Sequence, residues 1–227
     1  MKKGPVIAID GPGGVGKTTV SKRVAEALGF RYINTGAMYR ALALAAKESW
    51  VDLTSDVLLQ EFCAGMDLRY DVDTGRVEVD GTDYTDRLRT EQAGELASKV
   101  SVKKSVREYL VAYQRRLGEE GRVVMEGRDI GTVVFPDADV KIFLDALHEV
   151  RAERRHLELV EKGHAPSNAV GSDLAGRDRR DSEREVSPLK TADDAVRIDT
   201  SSADIDGVVG MVLRAVDERL RRGDNRS

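Results

Sequence analysis

The stretch IAIDGPGGVGKTTVSKRV, residues 7–24, constrains this chain more than any other. A glycine-rich turn stands there between a short β-rich apolar run and a helix carrying Val20, Val24, Ala27 and Leu28 at helical spacing. Gly11, Gly13, Gly14 and Gly16 can take positive φ and let backbone N–H groups converge on an anion. The turn opens onto a helix N-terminus, whose dipole adds to the attraction. Lys17 can reach terminal phosphates, and the Thr18 hydroxyl can ligate the magnesium that travels with them. Gly11, four residues, then Gly16-Lys17-Thr18 is P-loop spacing, and Val15 and Thr19 complete an ATP-binding stretch. A flexible linker is the alternative, but linkers are not flanked by a buried strand and an amphipathic helix.

A chain of 227 residues with 41% hydrophobic content can bury a real core as one domain with an insertion. Its net charge of −4 argues against a protein that coats nucleic acid, so small molecules are the expected partners. The single cysteine, Cys63, excludes an internal disulfide and a cysteine-based zinc site, and the apolar pattern DVLLQEFCAG makes it an inert core position. His148, His156 and His164 show no metal-ligand pairing and read as surface residues. The N-terminus meets Asp10 before any apolar run of signal length, and no segment approaches a membrane span, so a cytoplasmic enzyme with no membrane partner is expected.

Strand and helix signals alternate, the mark of a parallel sheet wrapped by helices. Strands are predicted at 5–9, 30–33, 122–126, 139–144 and 195–199, and helices at 17–28, 36–48, 55–64, 91–100, 103–118, 147–162, 173–185 and 203–222. Residues 66–87 instead alternate β-formers around the turn signals DTG and DG, predicting a small antiparallel insert. The expected fold is therefore α/β: a doubly wound, five-stranded parallel sheet with helices on both faces, plus the antiparallel insert.

A P-loop does not say what is done with the nucleotide. The guanine-reading Asn-Lys-x-Asp sequence of GTPase switches is missing, since Asn34, Asn168 and Asn225 are each in other company. An AAA-type module would end a later apolar strand in an acidic pair, whereas VKIFLDA offers only Asp145. A phosphotransferase needs a second anion site rich in arginine. In TGAMYR, Thr35 can cap a helix and Arg40 lies near enough to reach an anion. Arg128 and Asp129 follow a strand at the carboxyl end, where open α/β sheets place ligands. At 100° per residue, Arg177, Arg180, Asp181 and Arg184 fall within about 100° on one helix face, with Asp178, Arg179 and Glu183 off that stripe. Such a face repels unless an anion sits among the guanidinium groups; a solvated, salt-bridged helix fits the spacing equally well.

Taken in order, DGPGGVGKTT, TGAMYR, GRDIGTVVFPDADVKIFLDA and RDRRDSEREVSPL resemble the bacterial-type cytidylate kinases over nearly the whole chain. That family is similar to adenylate kinase in plan, so the resemblance implies a core, a monophosphate-binding insert near 66–87 with its flanking helices, and a mobile lid near 151–185. It implies transfer of the γ-phosphate of ATP to CMP or dCMP by a monomer with Mg2+. The positions matching the family's cytosine contacts are Ser98, Arg107 and Asp129, and those matching its ribose and phosphate contacts are Arg40, Arg128, Arg177, Asp181 and Arg184. Thr35 stands where the family usually has serine. On this reading Lys17, Arg128, Arg177 and Arg184 are catalytic, Thr18 and a water on Asp145 complete the magnesium shell, and Arg151, Arg154 and Arg155 are lid candidates. A kinase for another nucleotide or metabolite, or a non-catalytic nucleotide-binding regulator, are the alternatives.

Overall fold

The computed structural model describes residues 4–161 and 170–224. In chain order they form β1 (Val6–Asp10), α1 (Lys17–Leu28), β2 (Arg31–Asn34), α2 (Thr35–Glu48) and α3 (Asp56–Gly65). Then follow β3 (Leu68–Tyr70), β4 (Val77–Val79), β5 (Thr82–Asp83), a 3-10 turn (Thr85–Arg89), α4 (Glu91–Val100) and α5 (Lys104–Gly118). The remainder is β6 (Val123–Gly127), a π-helical turn (Ile130–Val134), β7 (Val140–Asp145), α6 (His148–Glu161), α7 (Val170–Glu183), β8 (Val196–Asp199) and α8 (Ile205–Asp224).

Five strands pair in the order β2-β6-β1-β7-β8, all parallel, while β3, β4 and β5 form a separate antiparallel sheet. Alternation along the central strands sorts the core into two layers. Val6 and Ala8 of β1 join Val123 and Met125 of β6 in one layer with α2 and the antiparallel sheet, whereas Ile7 and Ile9 join Val124, Ile142 and Leu144 in the other, with α1 and α8. Both faces of the sheet are thus covered, which is why its strands read as continuous apolar runs. Cys63 is buried, and burial pushes its thiol up to about 11, as the core reading requires.

The antiparallel sheet is tied to the main one through tyrosine. The Tyr70 hydroxyl accepts the Asn34 backbone N–H at 3.0 Å, where β2 passes into α2. Asn34, not Thr35, caps α2, its side chain accepting the Ala37 N–H at 3.2 Å. Thr35 is buried and turns its hydroxyl to the carbonyl of Glu126 at 2.7 Å, so the capping role expected for it falls one residue earlier. Helix α7 is already formed at Val170, ahead of its predicted start at 173, and Val170 and Leu174, four apart, are both buried there. His156 is exposed and His148 half-buried beside Gly171; His164 lies outside the described residues. No helix among the described residues is long and apolar enough to cross a membrane.

Candidate active site

The sheet order reverses at β1, with β6 on one side and β7 on the other, and the P-loop leaves the carboxyl end of that strand. Gly11 has φ 149°, and a Cβ there would stand 2.1 Å from the carbonyl oxygen of Leu144. Gly14, at φ 77°, lies against Arg151, whose carbonyl oxygen would be 2.9 Å from an added Cβ. No other residue type fits either place. Helix α1 starts at Lys17 behind Gly16, with no side-chain cap and no acidic residue in its first turn, so its leading amides are left for an outside anion. Lys17 is buried, its Nζ donating to the carbonyl of Pro12 at 2.5 Å. Burial first, and then repulsion from Arg128, hold its proton affinity well below that of an ordinary lysine.

The Thr18 hydroxyl donates to Glu126 Oε1 at 2.8 Å, and the Tyr32 hydroxyl donates to the same oxygen. Glu126, next to last in β6, stands beside Ile9 of β1, is buried, and its Oε2 has no hydrogen-bond partner. Asp145, the residue expected to serve the metal, is occupied differently: Oδ1 accepts the Ala146 N–H at 2.9 Å and Oδ2 pairs with Arg197. The hydroxyl–carboxylate combination that suits magnesium is therefore Thr18 with Glu126. Neither a motif nor a spacing singles out Glu126 in the sequence; its one signal is a carboxylate closing the apolar run VVME.

Beside the P-loop runs a chain of alternating charges. Arg107 pairs with Asp129 and donates to the carbonyl of Ser101 at 3.2 Å; Arg184 stands 3.7 Å from Asp129 and 3.6 Å from Asp181; Arg128 donates to Asp181 at 2.9 Å. Three guanidinium groups share two carboxylates, so the network keeps a net positive charge for an incoming anion. Arg107 is only 2% exposed, yet its Nε has no partner, and neither does Nη2 of Arg184 by hydrogen bond. Buried donors left unbonded are costly, and a polar ligand would satisfy them. Tyr39, which the sequence reading passed over inside TGAMYR, lies under this network, with the Arg107 guanidinium 5.7 Å from its ring centroid. Its buried hydroxyl also lacks a partner, and burial pushes its pKa up to about 12.

The arginine stripe of α7 faces inward. Asp181 and Arg184 enter the network, Arg177 lies against Gly94 of α4, and Arg180, though exposed like Arg179 and Glu183, donates to Ser98 Oγ at 2.9 Å. Ser98 is thus held by Arg180 rather than by Arg107 or Asp129. Arg40 is lowered in proton affinity by burial and feels Arg128, Arg155 and Arg177 as like-charged neighbours; Arg177, lowered likewise, feels Arg155. Of the three lid candidates only Arg155 belongs to this positive cluster. Arg154 donates to the hydroxyl and carbonyl of Thr200 at 2.9 and 2.6 Å. Arg151 donates to the carbonyl of Gly13 at 3.1 Å and pairs with Asp178, which accepts the Gly13 N–H at 3.4 Å. Helices α6 and α7 therefore rest directly on the P-loop.

The loop carrying Arg128 and Asp129 is fixed by Asp10, whose carboxylate accepts the N–H groups of Ile130 and Gly131, both at 2.8 Å. Burial outweighs these bonds and raises its pKa from 3.8 to about 6. The folded state then binds the proton more tightly than the unfolded chain, so this residue's contribution to stability is greatest below pH 4 and is lost as pH rises to about 6. The full change is about 3 kcal/mol. Urea unfolding of the parent and Asp10→Asn between pH 4 and 7 is expected to show the parent's advantage shrinking as pH rises; an advantage independent of pH would contradict the shift.

Residues 7–218 match the family model described as cytidylate kinase. The chain belongs to the cytidylate kinase family. It is 45% identical to the cytidylate kinase of Geobacter sp. (strain M21), over 98% of this chain and 97% of that one. It is 47% identical to that of Bacillus subtilis (strain 168), over 97% of this chain and 100% of the relative. Among solved structures, a gluconokinase from Sinorhizobium meliloti 1021 superposes with a TM-score of 0.53 at 15% identity, covering 100% of this chain and 99% of its own, which shows a shared fold.

Proposed function

We propose that this chain moves the γ-phosphoryl group of ATP onto CMP or dCMP, giving ADP and CDP or dCDP. As a member of the cytidylate kinase family it is an ATP-dependent nucleoside monophosphate kinase. The observation that carries the assignment of roles is the buried network Arg107–Asp129–Arg184–Asp181–Arg128 lying against the P-loop. The acceptor oxygen of a nucleoside monophosphate is already anionic at pH 7, so no general base is needed. That oxygen bonds to the γ-phosphorus as the bond from phosphorus to the β,γ-bridging oxygen breaks, and ADP departs with the electron pair.

The P-loop amides and Lys17 hold the donor's phosphates, while Arg40, Arg128, Arg155 and Arg177 surround the acceptor phosphate and the group in flight. Magnesium supplies charge neutralisation on the β- and γ-phosphates when bound, and Thr18 and Glu126 are the side chains that would hold it. Asp129 and Arg107 read the base, and Asp181 takes the ribose 2′-hydroxyl. Helices α6 and α7, already seated on Gly13, exclude water from the crevice.

Incubating the protein with Mg·ATP and each of CMP, dCMP, UMP, AMP, GMP and dTMP, and following ADP, tests the assignment. CMP and dCMP are expected to give the highest kcat/KM; a preference for AMP, or no turnover with any of them, would overturn it. If Asp181 accepts from the 2′-hydroxyl, Asp181→Ala should lower kcat/KM more for CMP than for dCMP, by roughly tenfold in the ratio. Equal losses would assign that carboxylate to holding Arg128 and Arg184.

A further inference from the structure

Tyr32 lies on β2, separated from the P-loop strand by β6, yet its hydroxyl reaches Glu126 Oε1, the oxygen that also takes the proton of Thr18. Two O–H donors on one oxygen leave Oε2 of the same buried carboxylate with no partner. The terminal torsion of a glutamate is broad, so a single hydrogen bond from Thr18 would not decide which oxygen faces the phosphate crevice. A phenol on a rigid strand does decide it. The Tyr32 ring is half-buried against the α1 side of the core and has the Lys22 ammonium 5.6 Å from its centroid, so the hydroxyl is delivered from a fixed direction.

The consequence falls on Thr18. With its proton given to Oε1, that hydroxyl presents lone pairs to whatever lies at the P-loop mouth, as a cation ligand must. We propose that Tyr32 is a positioning residue for the divalent cation: it pins Glu126 so that Oε1 orients Thr18 and Oε2 stays open toward the cation's shell. The proposal rests on the assignment of Thr18 and Glu126 to magnesium and adds an anchor on a different strand.

Tyr32→Phe keeps the ring and its place over Lys22 and removes only the donor. Protein in excess over ADP is titrated with Mn2+, and free Mn2+ is followed by electron paramagnetic resonance, in the parent, Tyr32→Phe and Glu126→Gln. Loss of an outer partner of this kind weakens metal binding roughly tenfold. Both variants are expected to show that weakening, and Tyr32→Phe should recover kcat at raised Mg2+ with its KM for CMP unchanged. ADP binding measured in EDTA should stay at the parent value. Weakened Mn2+ binding in Glu126→Gln with parent-like binding in Tyr32→Phe would overturn the role of Tyr32 and leave the Glu126 assignment standing. Parent-like binding in Glu126→Gln would remove both. If Tyr32→Phe weakened ADP equally with and without the cation, Tyr32 would be a packing residue only, and the proposal would fail.

Discussion

Replacing Lys17 with alanine is expected to lower kcat about a thousandfold, the scale for removing a preorganised electrostatic contact, while leaving a folded protein. The amine lies buried at the mouth of the P-loop, bonded to the carbonyl of Pro12 and facing the guanidinium of Arg128. Folding therefore gains little from its charge: burial and Arg128 both oppose the protonated form. The residue belongs to the reaction rather than to the core, because the charge it stabilises shifts from the γ- toward the β-phosphate as the bond breaks. Stability should change by no more than about 1 kcal/mol, the net worth of the bond to Pro12. Steady-state kinetics with saturating Mg·ATP and CMP, alongside urea unfolding, separate the two effects. A folded variant within tenfold of the parent kcat would remove the P-loop from the mechanism.

The second large effect is expected at Asp129. Cytosine offers an exocyclic amine where uracil offers a carbonyl, so a carboxylate there accepts from one and faces a bare oxygen in the other. In the proposed assignment Arg107, paired with Asp129, would donate to the base's acceptors. A mismatch of this kind is worth about 1–3 kcal/mol per contact, roughly tenfold to a hundredfold in relative rate. Asp129→Ala should lower the CMP to UMP ratio of kcat/KM by that factor, chiefly through the loss of CMP. It should also destabilise the fold by about 3–5 kcal/mol, because Arg107 would keep its charge in a buried place without its carboxylate. Asp129→Asn keeps the volume and one acceptor, and separates the two losses. An unchanged ratio in a folded variant would take base reading away from Asp129.

Much of the fold is legible in the sequence because its parallel strands are covered on both faces. Each reads as an apolar run, and helical spacing resumes between them, as at Val20 and Val24 of α1. The P-loop is legible because its glycines are dictated by backbone geometry: at Gly11 a side chain would strike Leu144. Residues that depend on register across the sheet are not. Glu126 meets Thr18 only because β6 pairs with β1 so that Glu126 stands beside Ile9, and Asp145 is lost to Arg197 because β8 pairs alongside β7. The three lid arginines look alike in EVRAERRHLEL, yet their places on α6 send one to Gly13, one to Thr200 and one to Glu158, near enough to Arg40 and Arg177 to be felt as a like charge. Helical periodicity separates buried Asp181 and Arg184 from exposed Arg179 and Glu183, but it leaves Arg180, which is exposed, on the inner stripe and Asp178, which reaches Gly13 and Arg151, off it.

The most direct test of the account is a crystal structure of the protein with CMP and ADP bound. The account predicts the cytosine amine within hydrogen-bond distance of Asp129 with Arg107 on the base's acceptors, the monophosphate among Arg40, Arg128 and Arg177, and the β-phosphate of ADP on the P-loop amides beside Lys17. A monophosphate bound away from those arginines, or a base that leaves Asp129 paired only with Arg107 and Arg184, would contradict it.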